Sequence, residues 1–323
     1  MVKVQSFVRS RRVQIAFNAV FGVVLLGVAV ISARHFMRNG WPLHHADPIL
    51  VGGAAFLFLI AYAFKAWGWQ RLFAEHERPD AGSLAFAGGA ACVGGVALPG
   101  RLDDALRIAC VRRVGGCKAG FGALGISLIV LGLLDNAALT PMASVAAASS
   151  SKWTVQLGFA VVAAAGVAAA VVVAFLPKVV HWHFVSRFKI GRWLADHTHC
   201  TREAWAAWIL VSFSWCLRGT AVFLLLNALA FPSSFPLALA FMVGTAASAA
   251  LPIAPAGAAT QAGAGAAILI AAGVHAGDAV AFSVAAQALV IVTGAAVMLL
   301  IGAWHLAVRF RRPRIAVAEA AVS

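Results

Sequence analysis

The chain has 323 residues, of which 62% are hydrophobic and 11% charged, against roughly a quarter charged in soluble proteins. That composition excludes a water-soluble fold, because so little polar surface cannot cover a globule, and the long apolar stretches make the bilayer the fitting solvent. The net charge of +14 comes from 25 Lys and Arg against 11 Asp and Glu. The cations lie in the loops between apolar runs, which points to anionic lipid headgroups as partner and away from nucleic acid.

Four cations, Lys3, Arg9, Arg11 and Arg12, precede an apolar run from Val13 to Ala33. The run is too long for a signal-peptide core and lacks an A-x-A exit, so it reads as a first transmembrane helix. Further apolar runs follow at about 49–69, 82–98, 119–139, 153–176, 205–230, 236–251, 261–273 and 279–307. Two regions depart from an ordinary span. Residues 82–98, ending in Leu98-Pro99-Gly100-Arg101, reach only about 25 Å at 1.5 Å per residue, short of a hydrocarbon core of roughly 30 Å. Residues 236–273 form two short pieces broken by Pro252, Pro255 and Gly257.

The positive-inside rule chooses between topologies. If both regions turn back, the inner loops carry four Lys and Arg before residue 13, three in 65–80, five in 99–118, five in 177–204 and four after 308. The outer loops carry two in 34–48 and one in 136–152, so the balance is 21 inside against 3 outside. If every run spans, the balance reverses to 8 inside against 16 outside. The expected fold is therefore all-α: a polytopic integral membrane protein with six spanning helices and two re-entrant broken-helix hairpins in an inverted repeat. The first repeat covers residues 1–152, with spans near 13–33, 49–69 and 119–139 and a re-entrant segment at 82–114. The second covers 153–323, with spans near 153–176, 205–230 and 279–307 and a re-entrant segment at 236–273. Both termini are expected on the cytoplasmic side of the membrane. Leu84-Ala85-Phe86 with Gly89 and Ala91 in the first half echoes Leu239-Ala240-Phe241 with Gly244 and Ala246 in the second.

Residues 177–204 mix Trp182, Phe184, Phe188 and Trp193 with Arg187, Lys189 and Arg192, the pattern of a basic amphipathic helix on the inner leaflet. Arg309-Phe310-Arg311-Arg312-Pro313-Arg314 reads as a stop and anchor at the same surface.

The most informative segment is Pro99-Gly100-Arg101-Leu102-Asp103-Asp104-Ala105-Leu106-Arg107. Pro99 and Gly100 break the hairpin, and the next half-helix begins near Leu102 with Asp103 and Asp104 in its first turn, where the positive end of the helix dipole stabilises them. Arg107 lies four residues from Asp103 and three from Asp104, so all three can pair on one face, and Arg101 can reach Asp104. The four charges sum to zero, yet a guanidinium with spare donors can still hold a phosphate bidentately. The bland alternative is a solvated loop with local ion pairs. Arg112, Arg113 and Lys118 continue the basic run as interfacial headgroup anchors. Arg218 stands near the middle of the 205–230 run, where an unpaired charge costs at least ~2.5 kcal/mol, so it must face the bundle interior. Asp135 or the Asp103/Asp104 pair is the expected neutralising partner, in a translocation path or as a purely structural pair. The second break, with Pro255 and Gly257, offers unwound carbonyls and one large polar side chain, Gln261, with Gln287 in the following span. Gly263 and Gly265 are expected to permit close helix packing.

No metal or cofactor is expected. Cys92, Cys110, Cys117, Cys200 and Cys216 form no C-x-x-C pair, and His181, His183, His197 and His199 have no ligand spacing. No phosphate-binding loop, metalloprotease motif or nucleophile elbow appears, so the reading is neither an ATP-driven pump nor an enzyme.

Taken together, the chain resembles the lysylphosphatidylglycerol synthase transmembrane-region family, a flippase-like domain. Its first element resembles P-G-R-x-G-E-x-x-R, read here from Pro99 to Arg107 and followed by Arg112-Arg113; its second resembles P-G-G-x-G-x-x-E and then L-G-V, read here as Pro255-Ala256-Gly257 and Ala272-Gly273-Val274. Trp67, Trp69 and Arg71 also stand in a family-like place. Asp103 stands where the family has Gly, Asp104 and Ala262 where it has Glu, and Gln287 where it has Arg. The resemblance implies translocation of an anionic phospholipid or lipid-linked headgroup between leaflets. Without the aminoacyl-transferase domain of fused members, lysyl-lipid synthesis is not expected. The translocation would run through Arg101, Arg107 and Arg218, with Asp103 and Asp104 holding the arginines when the site is empty. Two other readings use the same features: an ion-coupled carrier of a small anion, and a non-transporting scaffold of a lipid- or glycan-modifying system, as a homo-oligomer or beside a partner enzyme.

Overall fold

A computed structural model describes residues 46–97, 102–114, 118–180, 201–231, 233–250 and 257–320. Nine helices lie among them: α1 (Pro48–Gln70), α2 (Ala81–Ala97), α3 (Leu102–Val114), α4 (Phe121–Ser149), α5 (Trp153–Val180), α6 (Thr201–Ala228), α7 (Phe235–Ala250), α8 (Gly257–Ala271) and α9 (Ala276–Ala320). Among the described residues there is no strand. Five of the helices are long and apolar enough to cross a membrane: Pro48–Gln70, Phe121–Ser149, Trp153–Phe175, Arg202–Ala228 and Ala276–Val308. Their outward faces carry large apolar side chains such as Ile129, Val161, Val167, Leu299 and Leu300. A helix apolar all round belongs in lipid, and the chain is a multi-pass membrane protein. The expected first span at 13–33, the breaks at Pro99-Gly100 and Pro255, and residues 181–200 of the amphipathic segment expected at 177–204 lie outside the described residues, while its two ends belong to α5 and α6.

The helix α1 starts where Asp47 accepts from the Ile49 amide at 2.8 Å and Pro48 takes a position that needs no donor. It runs antiparallel to α6 along nearly its whole length. At one end the Asp47 amide donates to the Ala228 carbonyl at 3.1 Å. At the other, Glu203 meets Arg71 at 3.3 Å and Arg78 at 3.7 Å. Between the ends, Gly68 lies against Val211 and Ala207, and Ser214 Oγ donates to the Ala61 carbonyl at 2.8 Å. This pair forms the centre of the bundle.

Two hairpins flank it. Helices α2 and α3 pack on each other, and so do α7 and α8. At 17, 13, 16 and 15 residues, each is about 20–25 Å long, shorter than a hydrocarbon core of roughly 30 Å. Asp80 caps α2 by accepting from the Ser83 amide at 3.2 Å. The helix α8 ends where Gly273, at φ 94°, lets the Val274 amide reach back to the Leu269 carbonyl at 3.0 Å, the Schellman closure that favours glycine. The Ala272-Gly273-Val274 motif is thus a helix stop. Helix α2 packs on α9, and α7 packs on α4. Gly265 lies against Phe241, as expected of a packing glycine, whereas Gly263 faces open space.

Two boundaries differ from the sequence reading. The third span was expected to end at Leu139, but α4 continues to Ser149 through Pro141. The extension is rich in alanine, and it packs with α5, whose Gly166 accommodates Asn136 and Thr140. Residues 136–149 are therefore helix, and only 150–152 turn the chain. The basic tail expected to stop the last span continues as helix to Ala320.

Gly89 sets the approach of α2 to α9, because a Cβ there would collide with the Gly294 carbonyl oxygen and stand 3.2 Å from the Met298 nitrogen. Gly89→Ala is expected to cost about 1–3 kcal/mol by overpacking, whereas Gly132→Ala, with open space around it, should be neutral or slightly stabilising. Thermal unfolding of both variants in detergent checks this; equal midpoints would contradict the packing.

Candidate functional site

Charged groups inside an apolar bundle must find partners, and four helices supply them here. Lys65 of α1 meets Asp135 of α4 at 2.8 Å, with side chains 22% and 20% exposed. The indole Nε1 of Trp215, on α6, donates to the other Asp135 oxygen at 2.8 Å. Asp135 therefore accepts from two spans while belonging to a third. Lys65 Nζ also stands 5.5 Å from the Trp215 ring centroid.

One turn further along α6, the Arg218 guanidinium lies 5.2 Å from the Trp215 ring centroid and 5.3 Å from that of Tyr62, the chain's only tyrosine. Ring faces are weak counter-charges, worth about 2 kcal/mol or more when desolvated. Arg218 Nε is buried without a hydrogen-bond partner, and no carboxylate of the described residues forms a salt bridge with Arg218.

The first turn of α3 supplies the next part. Arg107 donates to Asp104 at 3.0 Å and lies 3.6 Å from Asp103, the pairing that three- and four-residue helical spacing predicts. Helix α3 packs on α2 and on α4, the helices that carry Cys92 and Asp135. Tyr62 Oη and Cys92 Cβ converge on Gly294 of α9, 2.9 and 3.0 Å from where its Cβ would stand. Cys92 Sγ points at the Val290 carbonyl at 3.7 Å.

The expected partner of Arg218 is thereby corrected. Asp135 is held by Lys65 and Trp215, and Asp103 and Asp104 are engaged by Arg107; Arg218 rests on aromatic faces. Lys65, counted with the inner loop 65–80, is instead a span residue, because its ammonium finds a carboxylate inside the bundle. Removing it leaves 20 inner cations against 3 outer. Lys65, Tyr62, Cys92 and Trp215 are the site residues that sequence reasoning missed. The signal for Lys65 was its place inside the apolar run 49–69, and the signal for Tyr62 was its uniqueness.

The other expected residues stand apart from this cluster. Gln287 donates to Gln261 Oε1 at 3.1 Å, joining α8 to α9, and Gln287 lies one helical turn before Val290. Arg112 and Arg113, in the exposed last turn of α3, suit the negative end of its dipole, and Arg112 stacks 3.7 Å from the Phe121 ring centroid. Gly257 begins α8. Arg101, Pro99, Gly100 and Pro255 lie outside the described residues. Trp69 is buried and donates to Ser127 at 2.9 Å, Trp67 is exposed, and Arg71 serves Glu203. An open groove of about 560 Å³ at the α4–α5 turn, lined by Ser144, Trp153, Gln156 and Leu157 among others, contains no charged side chain. Among the described residues no cluster of His, Cys, Asp and Glu could hold a metal.

Cutting one partner from a buried ion pair costs about 3–5 kcal/mol, whereas replacing both by apolar groups is often near neutral. Asp135→Ala should therefore lower the unfolding midpoint in detergent sharply, and the double variant Lys65→Met with Asp135→Leu should recover most of the loss. An Asp135→Ala protein as stable as the wild type would contradict this.

Comparison with family models matches residues 15–302 to the family described as "Lysylphosphatidylglycerol synthase TM region". Comparison with curated proteins and with solved structures gives no match.

Proposed function

The chain belongs to the lysylphosphatidylglycerol synthase TM-region family, and from that premise we propose that it translocates an anionic phospholipid or lipid-linked headgroup between leaflets without catalysing a covalent reaction. The observation that carries the reading is Arg218: a guanidinium within an apolar span, resting on Tyr62 and Trp215, with a buried orphan Nε and no salt bridge among the described residues. Evolution tolerates such a charge in hydrocarbon chiefly where an ion or substrate path needs it. A phosphate is the natural occupant, since a guanidinium binds it in a planar fork. Arg107 completes the inner part of the path, and its two carboxylates hold it when no headgroup is present.

The pattern of helix packing supports an inverted repeat. With α1 to α4 corresponding to α6 to α9, the α2–α9 contact answers the α7–α4 contact, and α1–α2 answers α6–α7. The α1–α6 pair lies where a pseudo-two-fold axis would pass. The hairpins α2–α3 and α7–α8 are then re-entrant from opposite sides, with broken helices meeting inside the bilayer. On this reading both termini face the cytoplasm of a bacterial inner membrane, with Arg112 and Arg113 at its inner headgroups. Arg101, at the hairpin break, adds a further cation to the entry.

The test is leaflet exchange of short-chain fluorescent lipids in phosphatidylcholine proteoliposomes, read by albumin back-extraction. Phosphatidylglycerol should exchange with the wild type. Losing a charged hydrogen bond of about 1.5–3 kcal/mol predicts a ten- to hundredfold fall in rate for Arg218→Ala and Arg107→Ala. Background exchange of every lipid by folded, inserted wild type would contradict the reading; uptake of small anions by the same vesicles would then favour a soluble-anion carrier.

A further inference from the structure

We propose that the amide pair Gln261–Gln287, set where the two hairpins approach each other, recognises headgroup hydroxyls, so that the translocated headgroup is a phosphate-linked polyol and not an aminated one; the proposal rests on the translocation reading above. The place of the pair follows from the register of α2 on α9. A Cβ on Gly89 would meet Gly294 and Met298, and Cys92 lies against Gly294 and the Val290 carbonyl. The two helices therefore run antiparallel, along a stripe of α9 that takes in Gln287, Val290, Gly294 and Met298 at spacings of three and four. Continued along that stripe, the register sets Gln287 level with the last turn of α2, which ends at Ala97. There Gln261, near the start of α8, accepts from Gln287 Nε2 at 3.1 Å, and α8 packs on α2 as well as on α9. At the same turn of α2, a Cβ on Gly95 would stand 4.0 Å from the Cβ of Asp103, in the first turn of α3. The end of α2 and the starts of α3 and α8 thus share one level, with charges from the first hairpin and amides from α8 and α9.

The two sets of groups differ in what they leave unused. Asp103, Asp104 and Arg107 pair among themselves, whereas the amides bring no charge. A primary amide has two N–H donors and one carbonyl acceptor. The one hydrogen bond that the pair makes among the described residues uses a donor of Gln287 and the oxygen of Gln261, so the donors of Gln261 Nε2 and the acceptor Gln287 Oε1 remain. Exchanging nitrogen and oxygen on both amides leaves the same complement of one donor group and one acceptor. A hydroxyl matches it, because it donates and accepts at once; a diol can accept from one amide and donate to the other. An ammonium only donates, so it would satisfy one amide, face the N–H groups of the other and need a counter-charge. The sequence from Gly219 to Val274 contains no Asp, Glu, Lys, Arg or His. Asp278 is exposed in the first turn of α9, nine residues before Gln287. The carboxylates of the first half are engaged, Asp135 by Lys65 and Trp215 and the α3 pair by Arg107. An ammonium brought to this level stays unpaired in an apolar bundle, which costs far more than placing a hydroxyl there.

The test compares short-chain fluorescent phosphatidylglycerol with two other lipids in phosphatidylcholine proteoliposomes. Phosphatidylpropanol carries the same phosphodiester charge and a headgroup of the same length without hydroxyls, and phosphatidylserine is an anionic lipid that bears an ammonium. The wild type is expected to exchange phosphatidylglycerol about five- to thirtyfold faster than either, the effect of one or two neutral hydrogen bonds. Gln261→Leu combined with Gln287→Leu removes both partners together and leaves no unpaired amide. Its phosphatidylglycerol rate should fall to that of phosphatidylpropanol, which itself should keep the wild-type value and so report a folded protein. Gln261→Asn keeps an amide of shorter reach and should lower the preference by a smaller factor. Equal wild-type rates for phosphatidylglycerol and phosphatidylpropanol would overturn hydroxyl recognition while leaving translocation standing. Phosphatidylserine moving as fast as phosphatidylglycerol, or a preference unchanged in both variants, would do the same. No exchange of any of the three by inserted wild type would remove the translocation reading and the specificity with it.

Discussion

Charge in hydrocarbon is the constraint around which this molecule is arranged. An ammonium and a carboxylate each lose several kcal/mol of hydration on leaving water, and the loss is recovered only where geometry brings them together and satisfies their remaining hydrogen bonds. Lys65, Asp135 and Trp215 meet that condition across sequence separations of 70 and 80 residues. Their contact ties α1, α4 and α6 into one register. A one-turn slip of α1 would part Lys65 from Asp135, and one of α6 would leave the Trp215 indole N–H without its acceptor. The same register aligns Ser214 with Ala61 and Glu203 with Arg71 and Arg78, so polar contacts along the central pair agree with one another.

The hairpins follow from that centre. Helix α2 can lie against α9 because Gly89 and Gly294 leave room for backbone approach, and this brings Cys92 and Tyr62 together at Gly294. Small residues replace large ones where helices must approach within lipid, since apolar burial alone gives helices no preference for each other over acyl chains. The result is a bundle whose outer surface is apolar and whose interior carries a compact set of charges. Among the described residues Arg218 is the member of that set with no salt bridge, resting on two ring faces, and the proposed translocation turns on it.

Much of this was legible in the sequence. The apolar runs gave the short helices, and α2, α7 and α8 begin or end within a few residues of the expected positions. Helical spacing gave the Asp103–Arg107 and Asp104–Arg107 pairs directly, because they are local. Arg218 stood out because a lone cation in a long apolar run is conspicuous. What the sequence did not yield was the identity of partners across helices. Lys65 lies six residues before Arg71, close enough to the end of its run to look like part of the basic loop. Only the pairing with Asp135 shows that it belongs to the interior. Trp215 looked like one more aromatic residue among ten tryptophans. The end of α4 was missed for another reason: Pro141 and the polar residues around it resembled a loop, while the contact with α5 that sustains the helix is a tertiary one.

The measurement that bears most directly on the central claim is an experimental structure of the protein in nanodiscs containing phosphatidylglycerol, with density inspected beside Arg218. The account predicts a phosphate within hydrogen-bond distance of the guanidinium, inside the bundle. An Arg218 neutralised by a carboxylate of the chain itself, with lipid phosphates confined to the outer rim of the bundle, would contradict it.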